Sequence, residues 1–282
     1  MKGHTYVILL IVVGMCVSIS SAEASRFWVA NTKSISSDIV KEQLLQLPQS
    51  LKHLGNEFAD GWSISFYKGT TALVARSEKS SSQDEKFDQA VDYAAKTQAN
   101  IVIGHLRQAS SGCNGDTPDP YPFQLFHNGR NWLFGHNGGI DKQLLMSLIG
   151  EEYLKQNSPQ ICVSNPPDSW IDSELYFIYL VKKIDEADSN VRKGLMNAVE
   201  ELLAHTKDKP QSLNFFLADG KEVWAFRKGN SLYYTYDKEN RLSIISSIVP
   251  GEGRFEWKEF PEDNLALLSS RKKPKFYSLV KK

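Results

Sequence analysis

The residue of this chain with the simplest route to nucleophilic chemistry is Ser25. It follows Ala22-Glu23-Ala24, a small-x-small pattern typical of cleavage after an export signal, so cleavage after Ala24 would leave Ser25 at the amino terminus. A serine hydroxyl needs a base beside it, and a terminal α-amine, whose pKa is ordinarily about 7.7 to 8.0, can serve as that base. The alternative is that Ser25 is only a small residue tolerated after a signal site.

The segment before Ser25 has the pattern of an export signal. Lys2 and His4 precede YVILLIVVGMCV, residues 6–17, an uncharged run that is too short to span a bilayer comfortably and suits the apolar region of a signal peptide. We therefore predict that residues 1–24 are a cleaved signal peptide and that the mature chain is secreted or periplasmic, without stable membrane association. An uncleaved amino-terminal anchor is the alternative.

Composition and charge narrow the class of protein. The 282 residues are 41% hydrophobic, and 33 basic side chains balance 33 acidic ones, so no global field would attract nucleic acid or an anionic membrane. We expect one globular domain, residues 25–282, that recognises a small-molecule substrate; the oligomeric state stays open. Removal of Cys16 would leave Cys113 and Cys162, which could form a disulfide, and there is no Cys-x-x-Cys pair to suggest a zinc site.

Hydrophobic periodicity predicts an α+β fold in which strands, then helices, then strands follow one another. A hairpin is expected at residues 62–67 and 71–75, and buried strands at 100–107 and 131–136, the second ending in a sharp turn at Asn137-Gly138-Gly139. Asp141 is expected to cap a helix that runs to about Leu154. Further helices are predicted at 39–54, with Pro48 in its middle, at 173–183 and at 191–205, a long loop at 110–122, and five strands from residue 213 onward.

Five short segments in one order carry the strongest functional signal. They are SRFWVA at residues 25–30, DGWSISFY at 60–67, GHLRQAS at 104–110, GRNWLFGHNGGI at 129–140 and IDSE at 171–174. Together they resemble the class II glutamine amidotransferase domains, whose nucleophile is an exposed terminal cysteine. The resemblance covers nearly the whole mature chain. It implies the N-terminal-nucleophile hydrolase fold, a four-layer αββα sandwich in which two antiparallel sheets lie face to face between helical layers.

The resemblance also implies a role for each matching residue. Arg107 would bind the α-carboxylate of a glutamine-like substrate through its planar guanidinium, and Asp172 would accept from the α-ammonium. Asn137, through its side-chain amide, and Gly138, through its backbone N–H, would form the oxyanion hole that stabilises charge on the attacked carbonyl. Without the resemblance, Arg107 could be an ordinary ion-paired strand residue, and Asp172 could simply cap a helix that begins at Ser173.

Further residues near these motifs complete the predicted site. His105, Asp60 and Trp62 are assigned to substrate binding, although Trp62 could equally be a core residue. His105 and His136 invite a metal interpretation, but each matches a family position without a metal role, and no carboxylate stands at ligand spacing beside them. We therefore expect structural, hydrogen-bonding histidines near the site, no metal and no cofactor.

The sequence also departs from the family pattern. Serine replaces the nucleophilic cysteine at position 25, Phe58 and Tyr121 stand where histidines are usual, and Ser63 replaces a glycine. Three hypotheses follow: an exported amidohydrolase that acts on glutamine or a γ-glutamyl amide, a catalytically inactive protein that binds the amino acid, and an amidase for a different acyl group. No segment resembles an ammonia-accepting domain, so we expect simple hydrolysis rather than ammonia transfer.

Overall fold

Two antiparallel sheets form the centre of the protein. The computed structural model describes residues 25–108, 122–206 and 211–279. The strands are β1 (Arg26–Asn31), β2 (Trp62–Lys68), β3 (Thr71–Ser77), β4 (Ile101–Leu106), β5 (Phe123–His127), β6 (Arg130–Gly139), β7 (Ser212–Ala218), β8 (Glu222–Arg227), β9 (Tyr233–Asp237), β10 (Leu242–Ser246), β11 (Lys258–Glu259), β12 (Asn264–Ser269) and β13 (Lys272–Ser278). The helices are α1 (Ser37–Lys41), α2 (Leu51–Leu54), α3 (Glu85–Lys96), α4 (Lys142–Ile149), α5 (Glu151–Gln156), α6 (Asp172–Glu186) and α7 (Val191–His205), with a π-helical turn at Glu42–Gln46.

The strand order brings predicted site residues onto neighbouring strands. In the seven-stranded sheet the order is β11-β9-β10-β1-β4-β2-β3, so β1, which follows Ser25, lies between β10 and β4. In the six-stranded sheet the order is β13-β12-β8-β7-β6-β5, so β6, which carries Asn137, lies between β7 and β5. Arg26 of β1 pairs with Leu106 of β4 in antiparallel register. Ser25 and Arg107, each one residue beyond this pair, therefore lie at the same end of the sheet.

The two sheets pack face to face through an apolar core. Its side chains include Phe27 from one sheet and Phe216 from the other, whose ring centroids are 5.2 Å apart in an edge-to-face arrangement. Gly135 makes this contact possible, because a Cβ atom at that position would overlap the Phe216 ring. Burial of one such aromatic side chain contributes roughly 1.5 to 3 kcal/mol. The core thus holds β1 against the six-stranded sheet close to Ser25.

Helices cover the outer face of each sheet. α1, α2 and α3 pack on the seven-stranded sheet through a core that includes Trp28, Ile64 and Phe87. α4 to α7 pack on the six-stranded sheet through a core that includes Phe134 and Leu175. The protein is therefore a four-layer αββα sandwich of two antiparallel sheets, and the predicted α+β fold is confirmed.

The segment Asn137-Gly138-Gly139 is part of a strand, so the prediction of a sharp turn there is wrong. β6 continues to Gly139, which pairs with Ser212 of β7. The local sequence favours a turn because Asn and Gly are common in turns. The strand continues because Gly138 has no side chain, which lets the Ser212 carbonyl approach the backbone; a Cβ atom at position 138 would overlap that oxygen.

Two predicted helices are interrupted by proline or glycine. The helix expected at residues 39–54 stops at Leu47, whose ψ of 150° is extended because Pro48 disfavours helical geometry in the residue before it. The helix capped by Asp141 stops at Gly150, whose φ of 81° favours glycine, and a new helix, α5, follows. The hairpin, the Asp141 cap and the two long helices α6 and α7 are confirmed. The sequence patterns do not indicate β5, β11 or β13.

Several sequence predictions concern residues outside the described ranges. These are the signal segment 1–24, Cys113, Tyr121 and most of the loop predicted at 110–122. Cys162 takes part in a disulfide bond. In the three described ranges, no helix is both long enough and apolar enough to cross a membrane.

Candidate active site

Ser25 is contacted from both sheets. The residue is 6% exposed, and its Oγ accepts a 3.1 Å hydrogen bond from the backbone N–H of Gln108, which follows β4. Its carbonyl oxygen accepts a hydrogen bond from the side-chain Nδ2 of Asn137 on β6. An N–H directed at a hydroxyl oxygen stabilises negative charge that develops on that oxygen. The fold therefore holds the Ser25 hydroxyl where an alkoxide would be stabilised.

Asn137 belongs to a hydrogen-bonded cluster that sequence reasoning missed. The Asn230 side-chain amide donates to Asn137 Oδ1 at 3.0 Å and to the Asn137 carbonyl at 3.4 Å. Ser212 Oγ donates to the same carbonyl at 2.9 Å, and Asn214 Nδ2 donates to the Asn230 carbonyl at 2.9 Å. The only local signal is the turn sequence Gly229-Asn230, which does not show what the turn contacts.

Arg107 and His105 lie at the end of β4 on one face. Alternate residues of a strand share a face, and Ile103 of the same face lies in the core between the sheets. Arg107 is half-buried, and its backbone N–H donates to the Gly61 carbonyl at 2.9 Å. Burial, with a smaller effect of the Arg107 charge, lowers the pKa of the fully buried His105 to about 3. His105 is therefore neutral near pH 7 and does not act as a general acid there, although one ring N–H remains as a hydrogen-bond donor.

Asp172 is the first residue of α6 and faces the end of β6. Its Oδ2 accepts a 3.0 Å hydrogen bond from the backbone N–H of Ile140, and a Cβ atom on Gly139 would lie 4.0 Å from the same oxygen. The helix cap position is Ile171, without a side-chain capping bond, so the carboxylate lies at the start of the helix and not outside it. The positive end of the helix dipole stabilises a carboxylate at this point. The fold thus places the Asp172 carboxyl group against the backbone of Ile140, three residues after Asn137.

His136 is directed away from the sheet interface. Its Nε2 donates to the Ser212 carbonyl at 3.0 Å, and because a carbonyl only accepts, its Nδ1 accepts from the Ser173 hydroxyl at 2.9 Å. Burial lowers the pKa of His136, and the Asp172 carboxylate partly opposes that shift. His136 therefore stays neutral and links β6 to β7 and α6. Within the described residues, no three His, Cys, Asp or Glu side chains are grouped to hold a metal ion.

The residues around the DGWSISFY segment lie mainly on the helix side of the seven-stranded sheet. Trp62 is buried in the helix-side core, and its Nε1 donates to Asp84 Oδ2 at 3.1 Å. Phe58 is buried beneath the Arg26 guanidinium, which lies 4.3 Å from the ring centroid. Asp60 is exposed. The placement of Trp62 agrees with its alternative as a core residue, and contact of Trp62 or Asp60 with a substrate stays a prediction.

Glu174, the last residue of the IDSE segment, is a buried acid close to Asp172. It is 7% exposed, and its two carboxylate oxygens accept hydrogen bonds from the backbone N–H groups of Gln160 at 2.7 Å and Ile161 at 3.2 Å. Burial raises the pKa of Glu174 to about 7, although the two N–H donors oppose the shift. Glu174 therefore ties the segment before α6 to the helix that carries Asp172.

We expect Glu174 to make the protein less stable as pH rises. The unfolded chain releases this proton near the ordinary pKa of 4.5 and the folded chain near 7, so the folded state binds more protons between these values. Rising pH through this window therefore favours unfolding, by about 3 kcal/mol in total. The variant Glu174→Gln should lose this pH dependence, which urea denaturation at a series of pH values measures.

The matched control is Glu200→Gln, an exposed position on α7, which should keep the wild-type pH profile. His105 acts in the opposite direction, because its lowered pKa makes folding less favourable as pH falls below about 6.5. The relevant quantity is therefore the difference between wild type and variant at each pH. Parallel curves for wild type and Glu174→Gln would contradict the prediction.

Comparison with known proteins gives a consistent family. Residues 35–240 match the class-II glutamine amidotransferases; Ser25 lies before the matched range. An Escherichia coli K12 protein named "Putative glutamine amidotransferase YafJ" is 28% identical over 179 residues, 62% of this chain and 63% of that protein. A Haemophilus influenzae protein with the name "Putative glutamine amidotransferase" is 26% identical over 183 residues, 64% of this chain and 55% of that protein. The match thus spans less than two thirds of the length of either relative.

Solved structures resemble the fold at low sequence identity. Glutamine phosphoribosylpyrophosphate amidotransferase from Bacillus subtilis aligns over 91% of this chain and 50% of its own, with a TM-score of 0.61 and 11% identity. A glutamine aminotransferase class-II domain protein from Silicibacter pomeroyi aligns over 91% of this chain and 100% of its own, with a TM-score of 0.59 and 14% identity. At such identities the likeness shows the fold alone. Since the family match itself extends over more than half of the sequence, this protein belongs to the class-II glutamine amidotransferases.

Proposed function

We propose that this protein is an exported amidohydrolase that hydrolyses glutamine or a γ-glutamyl amide, with Ser25 as its amino-terminal nucleophile once residues 1–24 are removed. The mature domain would then comprise residues 25–282. The observation that carries the proposal is that Ser25 is hydrogen-bonded by residues of both sheets. The Gln108 N–H, after β4, donates to the hydroxyl oxygen, and the Asn137 side chain, on β6, donates to the carbonyl oxygen. Acyl transfer needs amide donors close to the nucleophile, and both of these donors lie beside Ser25.

In the proposed reaction, the terminal α-amine takes the proton of the Ser25 hydroxyl as Oγ attacks the side-chain carbonyl of the substrate. The Gln108 N–H stabilises the charge that develops on Oγ. Asn137 Nδ2 and the Gly138 N–H donate to the oxyanion of the tetrahedral intermediate. The amine then returns the proton to the leaving nitrogen as the C–N bond breaks, ammonia departs, and water hydrolyses the acyl-serine ester to release glutamate.

The proposed substrate contacts use two groups of opposite charge. Arg107 would bind the α-carboxylate, since its planar fork can donate to both oxygens, and Asp172 would accept from the α-ammonium. Arg107 follows β4 of one sheet, and Asp172 begins the helix packed against the other sheet. An amino acid would therefore be held across the ends of β4 and β6, with its side chain toward Ser25.

Serine in place of cysteine makes the free amine more important. An alkoxide is harder to form than a thiolate, because a hydroxyl has a far higher pKa than the roughly 8.5 of a cysteine thiol. Removal of residues 1–24 would expose the amine at the position where the base is needed. Export processing would therefore also be the activation step.

The deciding experiment compares two chains that differ only in whether that amine is free. The first begins at Ser25, and the second keeps Ala24 before it, so that Ser25 carries an amide. We expect the first to release ammonia from glutamine and the second to release none, and mass spectrometry of the exported protein should give Ser25 as the first residue. Equal activity of both chains would exclude the amine as base.

Glutamine binding by the first chain without ammonia release would favour the binding-protein hypothesis, and turnover of other amides alone would favour an amidase for a different acyl group.

Arg107 should contribute to substrate affinity more than to the chemical step. Replacement by glutamine in Arg107→Gln removes charge-assisted hydrogen bonds, so we expect KM for glutamine to rise roughly 10- to 100-fold while kcat changes less. Steady-state ammonia release at varied glutamine concentration measures both constants. The control is Arg76→Gln, on the edge strand β3, which should leave KM unchanged. An unchanged KM in Arg107→Gln would contradict the assignment.

A further inference from the structure

We infer that Asn230 is a positioning residue that fixes which end of the Asn137 side-chain amide faces Ser25. The inference rests on the proposed function only in giving that orientation a catalytic purpose; the orientation itself is a property of the fold. It concerns a residue on the loop between β8 and β9, far in sequence from the motifs around Ser25 and Asn137.

A side-chain amide has two orientations of similar shape, and only one of them presents donors to an oxyanion. In the structure Asn137 Nδ2 faces the Ser25 carbonyl, and Asn137 Oδ1 accepts from Asn230 Nδ2 at 3.0 Å. A reversed Asn137 amide would direct its NH2 group at the NH2 group of Asn230 and its oxygen at the Ser25 carbonyl. Both contacts would then be repulsive, and Asn137 is 1% exposed, so water could not replace them.

The orientation of the Asn230 side-chain amide is in turn set by backbone groups, which cannot exchange the roles of donor and acceptor. Its Nδ2 also lies 3.4 Å from the Asn137 backbone carbonyl, which only accepts. The backbone of Asn230 is held at both polar atoms: its N–H donates to Ser212 Oγ at 3.2 Å, and its carbonyl accepts from Asn214 Nδ2 at 2.9 Å and from Arg227 Nε at 3.2 Å. The loop is therefore anchored to β7 and β8, and its side chain reaches β6 as a donor.

This arrangement matters most during turnover. To bind an oxyanion, Asn137 Nδ2 must turn from the Ser25 carbonyl toward the substrate, and at that moment the Ser25 carbonyl no longer selects the amide orientation. The bond from Asn230 to Oδ1 remains and keeps Nδ2 on the substrate side. Asn137 then has to move Nδ2 but does not have to reverse its amide, so less reorganisation is needed during the reaction.

The test compares Asn230→Asp with Asn230→Ala in the chain that begins at Ser25. The aspartate variant keeps the shape but presents an acceptor to Asn137 Oδ1, so the Asn137 amide should reverse; we expect kcat for glutamine to fall roughly 100- to 1,000-fold with KM changed by no more than about threefold. The alanine variant removes the donor without imposing the wrong orientation, so its kcat should fall less. As pH is lowered, the introduced carboxyl group takes up a proton and can donate again, so the activity of Asn230→Asp relative to wild type should recover.

A purely structural role for Asn230 gives the opposite pattern. The nearly isosteric aspartate would then be the milder variant, and its activity relative to wild type would not recover at low pH; either result would overturn the inference. Asn264→Asp, the same substitution on β12 where the side chain donates to the Glu262 carbonyl, is the control and should keep wild-type kcat.

A second readout does not depend on activity. The side-chain amide protons of Asn137, followed by NMR, should exchange slowly with solvent in wild type and shift in Asn230→Asp. Unchanged Asn137 amide signals in that variant would overturn the inference even if glutamine is a substrate. If the wild-type chain releases no ammonia, the proposed function fails, while the NMR comparison still decides whether Asn230 orients Asn137.

Discussion

Replacing Ser25 by alanine should lower ammonia release from glutamine by roughly 10⁴-fold or more, because the variant has no atom that can form the acyl-enzyme bond. The residual rate would come from the oxyanion donors and substrate binding alone. The fold should be kept, since within the described residues the hydroxyl makes one hydrogen bond, from the Gln108 N–H, and the Asn137 bond goes to the backbone carbonyl that alanine retains. Steady-state and single-turnover assays of the mature chain measure the effect.

Ser25→Cys is the matched variant for this prediction. A thiolate forms more readily than an alkoxide, so the cysteine variant should be active and less dependent on the terminal amine than wild type. Thermal unfolding of all three proteins serves as the control for folding. An alanine variant with the wild-type rate would remove Ser25 from the mechanism, and a well-folded, inactive cysteine variant would contradict the assignment of this position as the nucleophile.

Among substitutions that add a single methyl group to the candidate site, Gly138→Ala should be the most damaging. A Cβ atom at this position would overlap the backbone carbonyl of Ser212 on the paired strand, and a backbone atom cannot move aside as a flexible side chain can. We expect a loss of about 3 kcal/mol in the free energy of unfolding and a loss of glutamine hydrolysis, because the strands that carry Asn137 and Ser212 must separate. Urea denaturation and ammonia release measure the two effects.

The neighbouring glycine supplies the control. Among the described residues, the atom nearest to a Cβ on Gly139 would be Asp172 Oδ2 at 4.0 Å, which is an ordinary contact distance. Gly139→Ala should therefore unfold at nearly the same urea concentration as wild type. Similar stability losses for the two variants would show that the close approach at Gly138 is not what limits this strand.

Local features of the fold follow directly from the sequence. The hairpin at 62–67 and 71–75, the cap at Asp141 and the helices α6 and α7 each depend on residues within a few positions of one another, and each is confirmed. Ordered motifs likewise identified the family and its four-layer fold. The roles of Ser25 and Arg107 stay predictions, to be decided by the experiments above.

The turn predicted at residues 137–139 is wrong because the structure of this segment depends on residues distant in sequence. Asn137-Gly138-Gly139 has turn composition, yet it is strand, because Gly138 makes room for the Ser212 carbonyl of a strand more than seventy residues away. Similarly, the alternation of apolar and polar residues in β2 could not decide whether Trp62 faces a substrate or the helical layer. Its position in the helix-side core is fixed by which face of the sheet α3 covers.

The sequence by itself determined the secondary structure that depends on near neighbours and the order of the family motifs. Only the tertiary structure decided how those groups are held: the Gln108 N–H on Ser25 Oγ, the Asn230 amide on Asn137, and the burial that moves the pKa of Glu174 to about 7. Hydrogen-bond direction and desolvation depend on which backbone and side-chain atoms meet across the two sheets. These contacts join residues that are distant in sequence, so no local sequence pattern predicts them.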